Sequence, residues 1–542
     1  MMKRKLFLLA LSMMGIAFTG TAQDKLKSKV PYFRFEGVKS LDDKQLTDNP
    51  LMKRFAAARS AQEANALRPT FHYINPEGKL NDPNGLSYWN GNWHLFYQAY
   101  PPEDPRQHWG HAVSKDLVHW KDLPYAIYPD PEEKVYSGAT FVEKDRVIAM
   151  YHGTKAGTMV AISSDPLLLN WDKTPQSPVI AMPKPGEKLP YNVFDPNIWK
   201  QDGVYYTVLA GTRPDGPGGK NIRANFLFRS HDLNSWEYMH EFIENDMYSF
   251  VGDDGACPYF MPIGKSGKYV FLHFSHMTGG KYLIGDYDTK RHKFVVTDGG
   301  HFNHGPVGFG GVHAPSAYPD QNGDVVVLFN MNSGKRIHEG NLIQAMTLPR
   351  VLSLDDKGKL NQRPVEALQS LRYNKQTASG INLPANEFVE MKQGTGSAKE
   401  IVMKVDMKKS NFIELNVLSS PDKKEYTRIM FYKNGGFPER DIKNGRGRFS
   451  SIALDNSNGS LADDVTPRVT ETANVFIDKD EAVELRIFID KSIVEVFVND
   501  RQCVSIGTYP TLKNSDHVFV KSHGKDAEII SLETYDMKSV YK

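Results

Sequence analysis

From Thr70 onward the chain is built of short apolar runs closed by Gly, Pro, Asn or Asp, and no later stretch holds apolar residues at helical spacing for long. Trp93–Tyr97, Val147–Tyr151, Val204–Leu209 and Val325–Phe329 show the type. Their length and their β-branched or aromatic content make each a strand. Strands crowded at short intervals over roughly 300 residues predict an all-β fold, a propeller or a large barrel. A turn-like element, Ser-x-Asp-Leu-x-x-Trp, recurs at Ser114–Trp120 and Ser230–Trp236, with a looser copy at Ser164–Trp171. It fits a turn at a blade edge whose Trp packs between neighbouring blades. Near Gln376 the pattern loosens. Beyond it, Leu485–Asp500 alternates apolar residues on both sides of Asp490-Lys491-Ser492, which predicts a hairpin and, around it, a β-sandwich.

A chain of 542 residues is too long for one ordinary domain. The expected layout is a signal peptide over 1–22, an extension with a short helix over 23–68, a propeller over 69–375 and a sandwich over 376–542. The signal rests on Lys3, Arg4 and Lys5, an apolar run from Leu6 to Gly20, and small residues at Gly20 and Ala22. The run is short for a bilayer, so a secreted or periplasmic protein is expected, with no membrane attachment after cleavage; a retained anchor is the alternative. In the extension, Asn49-Pro50 opens a helix expected to reach Ala66, because Pro suits a first helical turn. A formal net charge of +2 supplies no basis for binding nucleic acid or an anionic membrane. The two cysteines, Cys257 and Cys503, make neither a disulfide framework nor a metal site and read as small buried hydrophobes.

The densest cluster of chemical side chains begins at Leu80-Asn81-Asp82-Pro83-Asn84-Gly85. Alone, those letters describe a good turn. Their surroundings change the reading: His72-Tyr73-Ile74-Asn75-Pro76 stands ahead, and His94-Leu95-Phe96-Tyr97-Gln98, His108-Trp109-Gly110-His111 and Asp116-Leu117-Val118-His119-Trp120 follow. This block resembles the opening of glycoside hydrolase family 32, the family of invertases, inulinases and levanases. Tyr136-Ser137-Gly138-Ala139 stands where the family has its Ser-Gly motif. Met346–Arg350 and Lys359–Val365 look like the segment joining its two domains, and Ile489–Asn499 looks like its C-terminal hairpin. The resemblance runs from about Phe71 to the C-terminus. It implies a five-bladed β-propeller followed by a C-terminal β-sandwich, a funnel-shaped site on the propeller axis, a carbohydrate partner (sucrose or a fructan such as levan or inulin), and no cofactor. Aromatic residues at 11% suit both an all-β fold and the apolar faces of sugars.

A retaining glycosidase needs a carboxylate nucleophile and a proton-donating acid across the scissile bond. By resemblance, Asp82 is the nucleophile and Asp195, in Phe194-Asp195-Pro196, is the residue that grips fructose hydroxyls and steadies the oxocarbenium-like transition state. Two departures stand out. Phe194 replaces the family's Arg, and Arg213 or Arg223 are the candidates to compensate. Ala256 occupies the place of the acid/base Glu, directly before Cys257-Pro258. In an extended segment Asp254 shares a face with Ala256, so Asp254 is the expected acid/base; Asp253 takes over if Gly255 introduces a bulge, and the third alternative is that no acid is present. Asn81, Gln98, Trp109 and Ser137 match positions that line the sugar subsite. Trp109 as packing and Gln98 as a loop hydrogen bond are the plainer alternatives. His108 and His111 lack a third ligand, so no metal is expected. The leading reading is a retaining β-fructosidase. A glycosidase for another furanose or a modified fructan, and a catalytically inactive sugar-binding homologue, are the rivals that Phe194 and Ala256 raise.

Overall fold

The computed structural model describes residues 27–541 apart from 185, 188, 214–215, 221, 304–310, 332–343, 434–448, 466–467 and 479. The expected signal segment, 1–22, lies outside the described residues. Asn49 caps the helix Pro50–Gln62 by accepting from Leu51 N, as Asn-Pro at a helix start predicts. The helix stops four residues short of the expected Ala66. Arg59 pins it to the β-structure through a two-pronged bond to Asp122, at 2.7 and 2.9 Å.

Five sheets follow one another along the chain, antiparallel except that Ile243–Glu244 pairs parallel with Lys293–His301 in the fourth, here called sheets I (79–127), II (135–181), III (193–241), IV (243–301) and V (312–364). Their leading strands are Lys79–Trp89, Val135–Val142, Val193–Gln201, Ala256–Pro262 and Val312–Pro319. Each touches the next, and the last touches the first, so the five strands close a ring. A belt of buried hydrogen bonds ties the ring across sheets. Asn84 Oδ1 accepts from Gly138 N, Tyr259 OH accepts from Gly85 N and donates to Gly138 O, and Ser316 Oγ accepts from Leu86 N. Gly85 must be glycine: its φ is +52°, and a Cβ there would lie 2.6 Å from Thr140 Cγ2.

The recurring Ser-Asp-Leu-Trp element joins the third and fourth strands of sheets I, II and III. In each copy the Asp side chain accepts backbone N–H groups of the turn, and a Leu (Leu117, Leu168, Leu233) sits at positive φ. The middle copy is anchored on Ser163 rather than Ser164, because Ser163 Oγ reaches Asp165 as Ser114 reaches Asp116. Its Trp171 packs edge-on against Phe96 of sheet I, between two sheets as expected.

Two six-stranded antiparallel sheets complete the chain. One contains Arg372–Leu383, Ala398–Asp406, Val483–Asp490, Ile493–Val498, Gln502–Gly507 and Ala527–Met537. The other contains Phe388–Glu390, Phe412–Ser419, Thr427–Tyr432, Phe449–Asp455, Glu471–Phe476 and His517–Ser522. The hairpin around Asp490-Lys491-Ser492 forms as read, with Lys491 at positive φ in the turn. Between the two sheets lies one aliphatic core, including Ile401, Met403, Leu415, Ile429, Leu485, Val496 and Val520. A buried charged cluster joins this part to the ring: Asp490 accepts backbone N–H from Thr70, Phe71 and His72, and Arg350 reaches Glu495 at 2.9 Å. Among the described residues, no helix is long and apolar enough to cross a membrane.

Candidate active site

Turn-like letters are not turns here. Asn81-Asp82-Pro83-Asn84-Gly85 lies inside the strand Lys79–Trp89, whose ladder slips between Leu80 and Pro83. All five leading strands slip at the corresponding place: Val135/Gly138, Val193/Pro196, Ala256/Tyr259 and Val312/Pro315 are the other four. Such bulges re-aim side chains, and Pro or Gly marks them because the ladder N–H is given up there. The skipped residues include Asn81 and Asp82, Ser137, Phe194 and Asp195, and Cys257. One device repeated around the ring therefore presents the site to the axis.

Asp82 Oδ2 accepts 2.6 Å from Ser137 Oγ and 3.1 Å from Gln98 Nε2, and Gln98 also donates to Ser137 Oγ at 2.8 Å. Asn81 donates to Gln98 Oε1 at 3.2 Å and accepts 2.8 Å from Asn330. Asp195 Oδ2 accepts from Cys257 N at 3.1 Å, and the Cys257 thiol lies 3.5 Å from Asp195 and 3.8 Å from Asp82. Burial raises the Asp82 carboxyl above its ordinary value against the pull of the Ser137 hydroxyl. Burial first, and the neighbouring Asp82 charge second, lift Asp195 to about 7. Cys257 is thus more than a small hydrophobe: its left-handed backbone (φ +49°) aims N–H and thiol at the carboxylate pair, and burial keeps the thiol neutral.

Of the expected site residues, Asn81, Asp82, Gln98, Ser137 and Asp195 are brought together. Trp109 is a correction. It is fully buried, stacks on Phe96, and spends its indole N–H on Tyr136 O at 2.9 Å, so it has no surface to offer a ligand. His108 and His111 are likewise internal: His108 bonds Ser28 and Arg106 O, and His111 bonds His94.

The segment 252–257 also needs correcting. It is not extended, since Gly255 has φ +65° and Cys257 φ +49°, and side-chain alternation does not apply across it. Asp254 turns to His276, which it holds through Nδ1 at 2.5 Å, and His276 packs edge-on against Phe274, the neighbour of Cys257. Asp253 turns the other way, into a buried pair with Lys281 and Thr278. Burial works against its charge, but those partners win and hold it near 2. Phe194 packs with Ala256, Cys257, Phe274 and Ala314. Arg213 pairs with Glu241 at the sheet edge, while Arg223 lies along Gly255 and pairs with Asp246 and Asn225. The sequence reading missed His276, Asn330 and the role of Cys257; for Cys257 the recurrence of Pro or Gly after each axial residue was the available signal, and for His276 and Asn330 the sequence offers none. A separate, largely apolar cavity of about 280 Å³ opens at the far end of the leading strands, and no carboxylate lines it.

A buried acid raised toward neutrality, Asp195, beside the half-buried Asp82 at the axis of an all-β ring marks a candidate hydrolytic site of the kind that uses carboxyl chemistry. The chain matches the Glycosyl hydrolases family 32 N-terminal domain over residues 72–364 and the Glycosyl hydrolases family 32 C-terminal domain over 367–536. It belongs to that family and is a glycoside hydrolase. It is 26% identical to a sucrose-6-phosphate hydrolase of Staphylococcus xylosus, covering 87% of this chain and 92% of that protein. It is 26% identical to a levanase of Bacillus subtilis, covering 90% and 72%. It shares its fold with fructan 1-exohydrolase IIa from Cichorium intybus (TM-score 0.74, 23% identity, covering 88% and 98%).

Proposed function

We propose that this protein is an exported retaining glycosidase that releases fructosyl units from sucrose or fructans. The pairing of Asp82 with Asp195 at the ring axis carries the reading. The relatives named as acting on sucrose 6-phosphate, levan and fructan supply the substrate class. The five ringed sheets are a five-bladed propeller, and the two six-stranded sheets a β-sandwich. The boundary between them falls in the 3-10 turn Glu366–Leu371, since the strand Arg372–Leu383 already pairs with Ala527–Met537. The basic and apolar texture of residues 3–20 supports export.

Asp82 attacks the anomeric carbon. Ser137 and Gln98 orient it, and by holding one oxygen they leave the other for the covalent bond. Asp195, fixed through Cys257 N, faces the hydroxyls and positive charge of the transition state. A substrate that shields this pair from water strengthens both effects. The acid/base step is served from the Asp254–His276 pair. Proton NMR of sugar release from sucrose, inulin, levan and an arabinan tests the reading: the first product keeps its anomeric configuration and is fructose. An inverted product refutes the mechanism, arabinose release moves the substrate to another furanose, and binding without turnover favours the inactive homologue that Ala256 raised.

A further inference from the structure

We infer that His276, held by Asp254, is the side chain that delivers and recovers the proton at the leaving oxygen, in place of a carboxylic acid. The inference rests on the fructosidase reading above. Where an acid would be expected the chain has Ala256, a residue with nothing to donate. Ala256 pairs with Phe274 across the strands Ala256–Pro262 and Tyr269–Ser275 of sheet IV, so the antiparallel ladder brings the residues just beyond them, Asp254 and His276, face to face. The contact is two-pronged: His276 N donates to Asp254 Oδ1 at 3.3 Å and the ring Nδ1 meets Oδ2 at 2.5 Å.

That arrangement leaves the other ring nitrogen, Nε2, without a partner among the described residues, on a side chain 70% exposed. Fixing one nitrogen of a histidine against a carboxylate sets its orientation and favours the protonated ring. An ion pair this exposed adds little to stability, so its value lies elsewhere. Asp254 meets His276 from the segment before the strand Ala256–Pro262, and the ring lies against Phe274, whose neighbour Cys257 touches both Asp82 and Asp195. Its pKa is raised, first by the Asp254 hydrogen bond and, against burial, by the charges of Asp254, Asp82 and Asp195. Phe274 packs edge-on with it, with ring centres 5.0 Å apart.

The step balances without any further reagent. As the Asp82 carboxylate forms its bond to the anomeric carbon, the bond to the leaving oxygen breaks and that oxygen takes the Nε2 proton. The leaving sugar departs as an alcohol, and His276 is left neutral. Water then attacks the fructosyl ester and gives a proton to Nε2, which restores carboxylate and imidazolium. Asp254 takes no part in the proton transfer and acts as a positioning residue.

The test uses the full chain and compares His276→Ala, His276→Gln, Asp254→Asn and Asp82→Asn on sucrose or inulin and on an aryl β-fructofuranoside with an acidic phenol leaving group. Loss of general acid catalysis lowers turnover of the natural sugar by ~10²–10⁴-fold in both His276 variants. The aryl substrate loses only a few-fold, the alkaline limb of the pH profile vanishes, and added imidazole restores part of the rate to His276→Ala. Asp254→Asn moves the alkaline limb to lower pH without removing it. Unchanged leaving-group dependence in His276→Ala overturns the inference, as does a lost alkaline limb in Asp254→Asn with His276→Ala silent. Asp82→Asn separates the two readings: if it leaves the aryl substrate untouched, the fructosidase mechanism itself has failed.

Discussion

Two regions of this molecule bury carboxylates, and they do so to opposite ends. At the junction of the ring with the two C-terminal sheets, Asp490 and Glu495 lie fully inside with His72, Arg350 and Ser505. Asp490 accepts three backbone N–H groups as well as His72 Nδ1, and Glu495 is met by His72 Nε2, Arg350, Leu348 N and Ser505. Burial opposes every one of these charges, yet the partners win. Glu495 is held near 2, Asp490 below its ordinary range, and His72 is raised to about 9. At the ring axis, Asp195 is buried and Asp82 half-buried, and they have a hydroxyl, an amide, one backbone N–H and a thiol instead of a cation in contact. There burial wins, and both carboxyls are raised. The contrast teaches that depth alone does not decide whether an acid is structural or reactive. The number and charge of its donors does, because a desolvated carboxylate without compensation is pushed toward reaction.

The comparison breaks most directly at Asp82. Asp82→Asn keeps the shape and the Ser137 contact but cannot form the covalent ester, so kcat falls by at least ~10⁴-fold while thermal stability holds or rises. A variant keeping a tenth of wild-type kcat, or one that loses its fold, assigns Asp82 to the structural class instead.

Glu495→Gln is the reciprocal case. It leaves Arg350 and His72 buried with one counter-charge fewer, a loss of ~3–5 kcal/mol in denaturant unfolding with kcat per folded molecule unchanged. The pH dependence sharpens it. His72 binds its proton more tightly folded than unfolded, so its contribution is complete below about pH 6.5 and is lost as pH rises through about 9. Glu495 releases its proton more readily when folded, so its share is complete above about pH 4.5 and is lost as pH falls through about 2. Unfolding of the wild type is therefore hardest between those limits, and Glu495→Gln flattens both flanks. An unaltered profile removes the cluster from the stability account.

Asp195→Asn gives the smallest effect of the three. Losing one charge that steadies the transition state costs ~10²–10³-fold in kcat. Its stability moves the other way. The Asp195 carboxyl holds its proton to about pH 7 in the folded protein, so ionising it costs stability increasingly as pH rises from about 4 to about 7. Asparagine escapes that cost, and the variant melts higher than the wild type above pH 7 with no advantage near pH 4. A variant less stable at pH 8 shows that Asp195 is bound by contacts like those of the junction.

Much of this was legible in the chain itself. Runs such as Val325–Phe329 declare strands, Asn49-Pro50 declares a helix start, and Asp490-Lys491-Ser492 declares a hairpin, because each depends on neighbours within a few residues. The order of motifs from His72 to Asn499 was enough to place Asp82, Asp195, Ser137 and Gln98 in one site. Tertiary structure decided the rest. Trp109 looked like a sugar-facing ring until the stacking of sheets I and II covered it on every side. The letters around Asp82 spell a turn, and only closure of the ring makes them a bulged strand with its carboxyl on the axis. Asp254 and His276 stand 22 residues apart with no motif to connect them. They meet because the register that pairs Ala256 with Phe274 places them opposite one another, and register is fixed by packing across the sheet rather than by any local run of sequence.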